Sequence, residues 1–109
     1  MSKKVLNVNI LEEVRKNKEE YKIIYKDKAT KIVIMNLKNG LPNEKHTDRT
    51  QTFYIVSGKG KIVYGKTLKN RKSIILKKGV LITIPKGTYH QLFTTSKQPL
   101  KLYSIYSIF

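Results

Sequence analysis

From Tyr21 onward the chain reads as short β-branched and aromatic runs broken by turn residues, which is the pattern of strands. Tyr21–Lys26 and Thr30–Leu37 come first. Asn39-Gly40 is a turn signal, because both residues tolerate the backbone angles of a tight reversal. Thr52–Val56 follows, and Ser57-Gly58-Lys59-Gly60 turns it into Lys61–Tyr64. A polar connection from Gly65 to Arg71 leads into Ser73–Leu76, and Lys77-Lys78-Gly79 turns into Val80–Ile84. Two closing strands, over about residues 89–95 and 100–108, flank Ser96–Pro99. About eight or nine short strands at near-regular spacing, with no solenoid repeat or heptad, predict an all-β sandwich or barrel.

Ahead of the strands the pattern changes. Asn9 with Glu12 three residues on has the form of a capping box, and Ile10, Leu11 and Val14 form a short apolar stripe. A brief helix over 10–18 is expected. The chain therefore divides into an N-terminal arm with a short helix (residues 1–20) and a β-barrel (residues 21–109), one domain overall at this length.

Composition removes several chemistries. The chain has no cysteine, which excludes disulfides, thiolate metal sites and cysteine nucleophiles. No apolar run reaches membrane-spanning length, and the Met-Ser-Lys-Lys start leads into no signal-peptide core, so the expectation is a cytoplasmic or otherwise intracellular protein with no membrane partner. Charge is extreme: 23 Lys and Arg against 7 Asp and Glu, a net of +16. Such an excess favours polyanions, and packaging with nucleic acid in a chromosome or virion is one expectation. Only Arg15, Arg49 and Arg71 are arginines, so the attraction is expected to be diffuse rather than a specific readout. An AT-rich genome also accounts for abundant Lys, Ile, Asn and Tyr.

The candidate chemistry lies beside turns. Gly79-Val-Leu-Ile-Thr-Ile-Pro85-Lys-Gly87-Thr-Tyr-His90 carries a Pro-x-Gly turn that sets where the next strand starts, and so where His90 points. The chain's other histidine, His46, follows Glu44 at the two-residue spacing that shares a strand face. Gln51 lies beyond the polar turn Thr47–Thr50 and is expected across from the Glu44/His46 pair. If these strands are neighbours, Glu44, His46, Gln51 and His90 converge near one end of the barrel. Two imidazoles, a carboxylate and an amide carbonyl form a nitrogen and oxygen donor set suited to zinc, manganese, iron or nickel. Glu44 is then the acid/base candidate for catalysis; a surface carboxylate paired with Lys45 or Arg49 is the alternative. Lys45, Arg49, Lys86 and Tyr89 are placed at the mouth, where they suit a small polar or anionic ligand. Tyr54, Tyr64, Tyr103 and Tyr106 are either a stacking surface for nucleic acid or, more simply, core and interface packing.

These residues resemble the cupins, in particular the small single-domain cupins called mannose-6-phosphate-isomerase-like. The second cupin motif, G-x5-P-x-G-x2-H-x3-N, is met by Gly79, Pro85, Gly87 and His90, with Thr94 in place of asparagine. The first motif is met by His46 and Gly58, with Glu44 in place of its first histidine and Gln51 in place of its glutamate. The subgroup's E-x-H, its glutamine and its closing L-K-L-Y-x-I-Y are matched by Glu44/His46, Gln51 and Leu100–Tyr106, while Thr50 stands where an aspartate is usual. The resemblance implies a double-stranded β-helix, or jelly-roll barrel, with a divalent metal and a small polar or anionic ligand inside, a sugar derivative being one candidate. If the protein is catalytic, it implies isomerase-like or dioxygenase-like chemistry. The alternative is a cupin shell without catalysis, whose basic surface meets nucleic acid. A homodimer is expected, with the closing strand Leu100–Phe109 as its surface.

Overall fold

The computed structural model describes residues 5–108. Expectations on residues 1–4 of the arm and on Phe109 fall outside them.

The helix comes first and is short. α1 (Ile10–Lys16) starts where the Asn9 side chain accepts a hydrogen bond from the Glu12 amide at 3.1 Å. It ends two residues before the expected limit, at Asn17. The Asn17 side chain bonds both the carbonyl and the amide of Glu19, which holds the chain in an extended exit.

Nine strands follow among the described residues: β1 (Lys22–Lys26), β2 (Thr30–Leu37), β3 (Leu41–Lys45), β4 (Thr50–Ser57), β5 (Gly60–Gly65), β6 (Lys72–Leu76), β7 (Leu81–Ile84), β8 (Tyr89–Thr94) and β9 (Leu100–Ser107). The β1–β2 reversal is tied by Asp27, whose carboxylate accepts from the amides of Ala29 and Thr30 and from the Tyr25 hydroxyl. The strands form two antiparallel sheets, ordered β1-β2-β9-β4-β7 and β3-β8-β5-β6. This is the double-stranded β-helix: β1–β2 and β5–β6 pair as consecutive strands, and every other connection crosses between the sheets. Asn39-Gly40 makes one such crossing. Gly40 has φ 97°, a left-handed angle, and a Cβ there would press into the Leu92 carbonyl.

Alternation then separates inside from outside. On β9, Leu100, Leu102, Ser104 and Tyr106 face the core; on β4, Gln51, Phe53 and Ile55 do; on β8, His90 and Leu92. Phe53, Ile55, Ile62, Leu92, Leu100 and Leu102 are essentially fully buried, each contributing roughly 1.5–3 kcal/mol. A second, smaller cluster lies on the outer face of the five-stranded sheet, where Val14 of α1 is buried against Ile34 and Val56.

The closing strand β9 lies inside its sheet, hydrogen-bonded on both sides, to β2 and β4. The four tyrosines pack, as the simpler expectation had it, rather than forming one stacking surface. Tyr106 points inward, Tyr64 packs against the core, and Tyr54 and Tyr103 stack on each other outside at 5.3 Å.

Candidate metal centre

The Pro85-Lys86-Gly87 turn and the end of β3 are held together by one short bond. Gly87 donates its amide to the His46 carbonyl at 2.7 Å, and Gly87 has the left-handed φ of 85° that lets the turn present that amide. β3 and β8 then pair Glu44 directly with His90. His46 lies just past the end of β3, and its ring sits 5.4 Å from that of His90. Glu44, His46 and His90 thus each offer a donor atom, all within 4.8 Å of one another.

The chemistry of each donor suits a cation. His90 is 3% exposed, and its Nδ1 lies 3.3 Å from the Thr88 carbonyl. A carbonyl oxygen only accepts, so Nδ1 carries the proton and Nε2 presents its lone pair, the arrangement found behind many ligating histidines. Burial holds the His90 imidazole below its ordinary pKa, and His46 beside it acts in the same direction; the Thr88 bond and Glu44 oppose. His46 Nε2 is 3.2 Å from Glu44 Oε2, an ion-pair distance when the imidazole is protonated, and makes no hydrogen bond among the described residues. A buried nitrogen left so is costly unless something else meets it.

Gln51 is placed differently from the expectation. It lies in the other sheet, paired with Ile84 and Tyr106, because the chain crosses between sheets after β3 and β4 pairs with β7 and β9. It is nonetheless inward, 2% exposed, with Nε2 donating to Ser104 Oγ at 2.9 Å and Oε1 without a partner among the described residues. Tyr106 connects the two sides: it opposes Gln51 across the sheet and meets the His46 ring edge-on at 5.6 Å. Its hydroxyl pKa is pushed up, first by burial and then by Tyr21. Lys31 Nζ lies 4.4 Å from its ring. Sequence reasoning did not mark Tyr106, Ser104 or Lys31 as site residues; only their place on the inner or mouth end of strands paired around Gln51 identifies them.

Of the expected rim, Arg49 is at the mouth, bonded through two nitrogens to Asp48 and 6.0 Å from the Tyr106 ring. Lys86 is exposed on the turn. Lys45 and Tyr89 are not on the rim. They pair with each other on the outward face, since alternation turns them away when Glu44 and His90 turn in. Thr94, in the place of the motif's asparagine, is four residues from His90 at the other end of β8. There its hydroxyl donates to the Leu37 carbonyl at 2.8 Å and pins one sheet to the other.

A cleft of about 550 Å³ adjoins the group through Thr88 and through Tyr64, which pairs with His90 across β5 and β8. Its walls are Ile74, Ile82, Ile84 and Pro85, with Lys66 and Lys72 also lining it. Thr88 Oγ1 is buried there without a partner among the described residues.

Known proteins agree with this architecture. A protein of Acanthamoeba polyphaga mimivirus, L612, is 37% identical over 103 residues, covering 92% of this chain and 63% of the viral protein. This chain therefore spans less than two thirds of that relative. The crystal structure of BH2720 from Bacillus halodurans superposes with a TM-score of 0.87 at 26% identity, covering 97% of this chain and 83% of that one. A cupin-2 domain protein from Shewanella frigidimarina has a TM-score of 0.69 at 19% identity, with 90% and 91% covered. The cupin domain model matches residues 32–106, from β2 to the end of the barrel. The chain belongs to the cupin family.

Proposed function

We propose that this chain holds one divalent metal ion through Glu44, His46 and His90, with Gln51 Oε1 as a fourth ligand, and takes a small organic anion into the adjoining cleft. One observation carries the reading: His46 Nε2 is buried without a hydrogen bond among the described residues, where the donors of Glu44 and His90 come within 4.8 Å. An ion there satisfies that nitrogen, and the donor set of two imidazoles and oxygens suits zinc, manganese, iron or nickel alike. Bound, such an ion supplies Lewis-acid polarisation of a ligand oxygen.

The chain's own groups do the rest. His90 keeps its lone pair inward through the Thr88 bond, Glu44 holds the group's one carboxylate, and Tyr106 closes the site from the side of β9. In the cleft, Thr88 Oγ1 offers a hydrogen bond and Lys66 and Lys72 offer charge, while the isoleucine walls favour an apolar body. An anion with a short apolar portion fits that lining.

Isothermal titration of the chelated protein with Zn²⁺, Mn²⁺, Ni²⁺ and Fe²⁺ is the test. The expected result is about one ion per chain at about micromolar affinity or better, abolished in His46→Ala and His90→Ala although both remain folded by circular dichroism. No stoichiometric binding of any of the four, or equal binding in both variants, overturns the proposal and leaves a cupin shell without a metal.

A further inference from the structure

The outward face of the four-stranded sheet carries a pattern that the metal centre does not use. Register sets its side chains in rows across β3, β8, β5 and β6. Lys45, Tyr89 and Gly65 form one row, Gln91, Val63 and Ser73 the next, and Phe93, Lys61 and Ile75 the third. The alternate residues on these strands, His90, Leu92 and Ile62, are buried in the barrel, so the rows face out. Ile75 is 75% exposed, and Tyr89 and Phe93 are half-buried on their strand. Each ring has an ammonium over it: Lys45 Nζ is 4.8 Å from the Tyr89 centroid and Lys61 Nζ is 5.2 Å from that of Phe93. Arg71 approaches Asn43 at 3.5 Å beside the first row.

Of the four strands of this face, β5, β6 and β8 carry no acidic residue. All seven acidic residues lie at or before Asp48, and the twelve basic residues from Arg49 onward have no acidic residue among them. Within this sheet the one carboxylate is Glu44, which turns inward toward His46.

We propose that this face binds single-stranded nucleic acid, with bases stacking on Tyr89 and Phe93 and phosphates meeting Lys45, Lys61 and Arg71. Tyr89 and Phe93 are four residues apart on β8, about 14 Å, with Gln91 between them to bond a base edge. An ammonium resting on an exposed ring is a weaker contact than a stacked base, so Lys45 and Lys61 yield the rings and move to the phosphates. A duplex offers such a face only its phosphates, since its bases are already stacked and its grooves admit a helix or ribbon rather than a broad sheet. Lysine-rich composition then predicts binding without sequence preference. This inference is independent of the metal proposal, for it uses the opposite side of the same strands.

Fluorescence anisotropy with a labelled oligothymidylate, a blunt duplex of equal length and a heparin oligosaccharide tests it, on the whole chain at 50 mM salt. The single strand binds tightest. Tyr89→Leu and Phe93→Leu, which keep apolar bulk on the sheet, each weaken it by roughly five- to a hundredfold; Phe93→Trp restores binding. Lys61→Gln lowers the slope of log affinity against log salt by about 0.7. The proposal fails if the chain binds no oligothymidylate. It fails equally if duplex or heparin binds as well as the single strand, or if folded Tyr89→Leu and Phe93→Leu bind like wild type.

Discussion

His90 couples the inside of the barrel to solvent pH. Its folded pKa lies below the ordinary 6.5, so the folded state binds fewer protons there than the unfolded chain. Stability is therefore full above about 6.5 and declines as pH falls through the folded value. The carboxylates with resolved shifts, Glu13, Asp27 and Asp48, are lowered from ordinary values near 4 and act at a more acidic pH. Urea midpoints of the metal-free protein should fall between pH 7 and pH 5.5 and stay flat over that range in His90→Gln; a parallel decline in both would assign the sensitivity elsewhere. Gly40 sets a different kind of limit. At its left-handed φ an alanine is strained, and its Cβ meets the Leu92 carbonyl, so Gly40→Ala should cost about 3 kcal/mol or more by denaturant titration.

At the scale of elements, α1 is a clasp on the outer sheet rather than part of the site. Val14 is fully buried against Ile34 and Val56, and Val14→Ala should lower unfolding free energy by about 2 kcal/mol with metal affinity unchanged. A change in metal affinity would show that the clasp reaches the centre. Local pattern made most elements legible: the Asn9 cap, the turns at Asn39-Gly40 and Pro85–Gly87, and the strands except β3, whose Leu41-Pro-Asn-Glu-Lys45 lacks a β-branched run. It also brought Glu44, His46 and His90 to one face and one end, since each lies next to a turn on strands that do pair. What lay beyond it was the order of strands. Nothing near Leu100–Tyr106 announces that β9 runs between β2 and β4, so Gln51 was assigned a neighbour in the wrong sheet and Tyr106 was missed. Lys45 and Tyr89 went to the mouth by proximity in sequence to Glu44 and His90, where alternation sends them the opposite way.

For the whole molecule, charge is distributed as unevenly as structure is even. A net +16 with every carboxylate at or before Asp48 leaves most of the barrel repelling itself. Raising sodium chloride from about 20 to 200 mM shortens the screening length to below about 10 Å, and the melting temperature should rise across that range; a flat or falling curve would mean that the repulsion is already relieved within the fold. The barrel's two ends also differ. At the end away from His90, Thr94 bonds Leu37, Thr95 donates its amide to Lys59, and Gly40 lies against the backbone of Leu92. At the histidine end the short bond from Gly87 to His46 holds β3 to the β8 turn, while β6 and β7 face each other across the cleft as unpaired sheet edges. The free edges of β6 and β7 share no strand pairing across the cleft, so widening that end breaks no ladder between the two sheets.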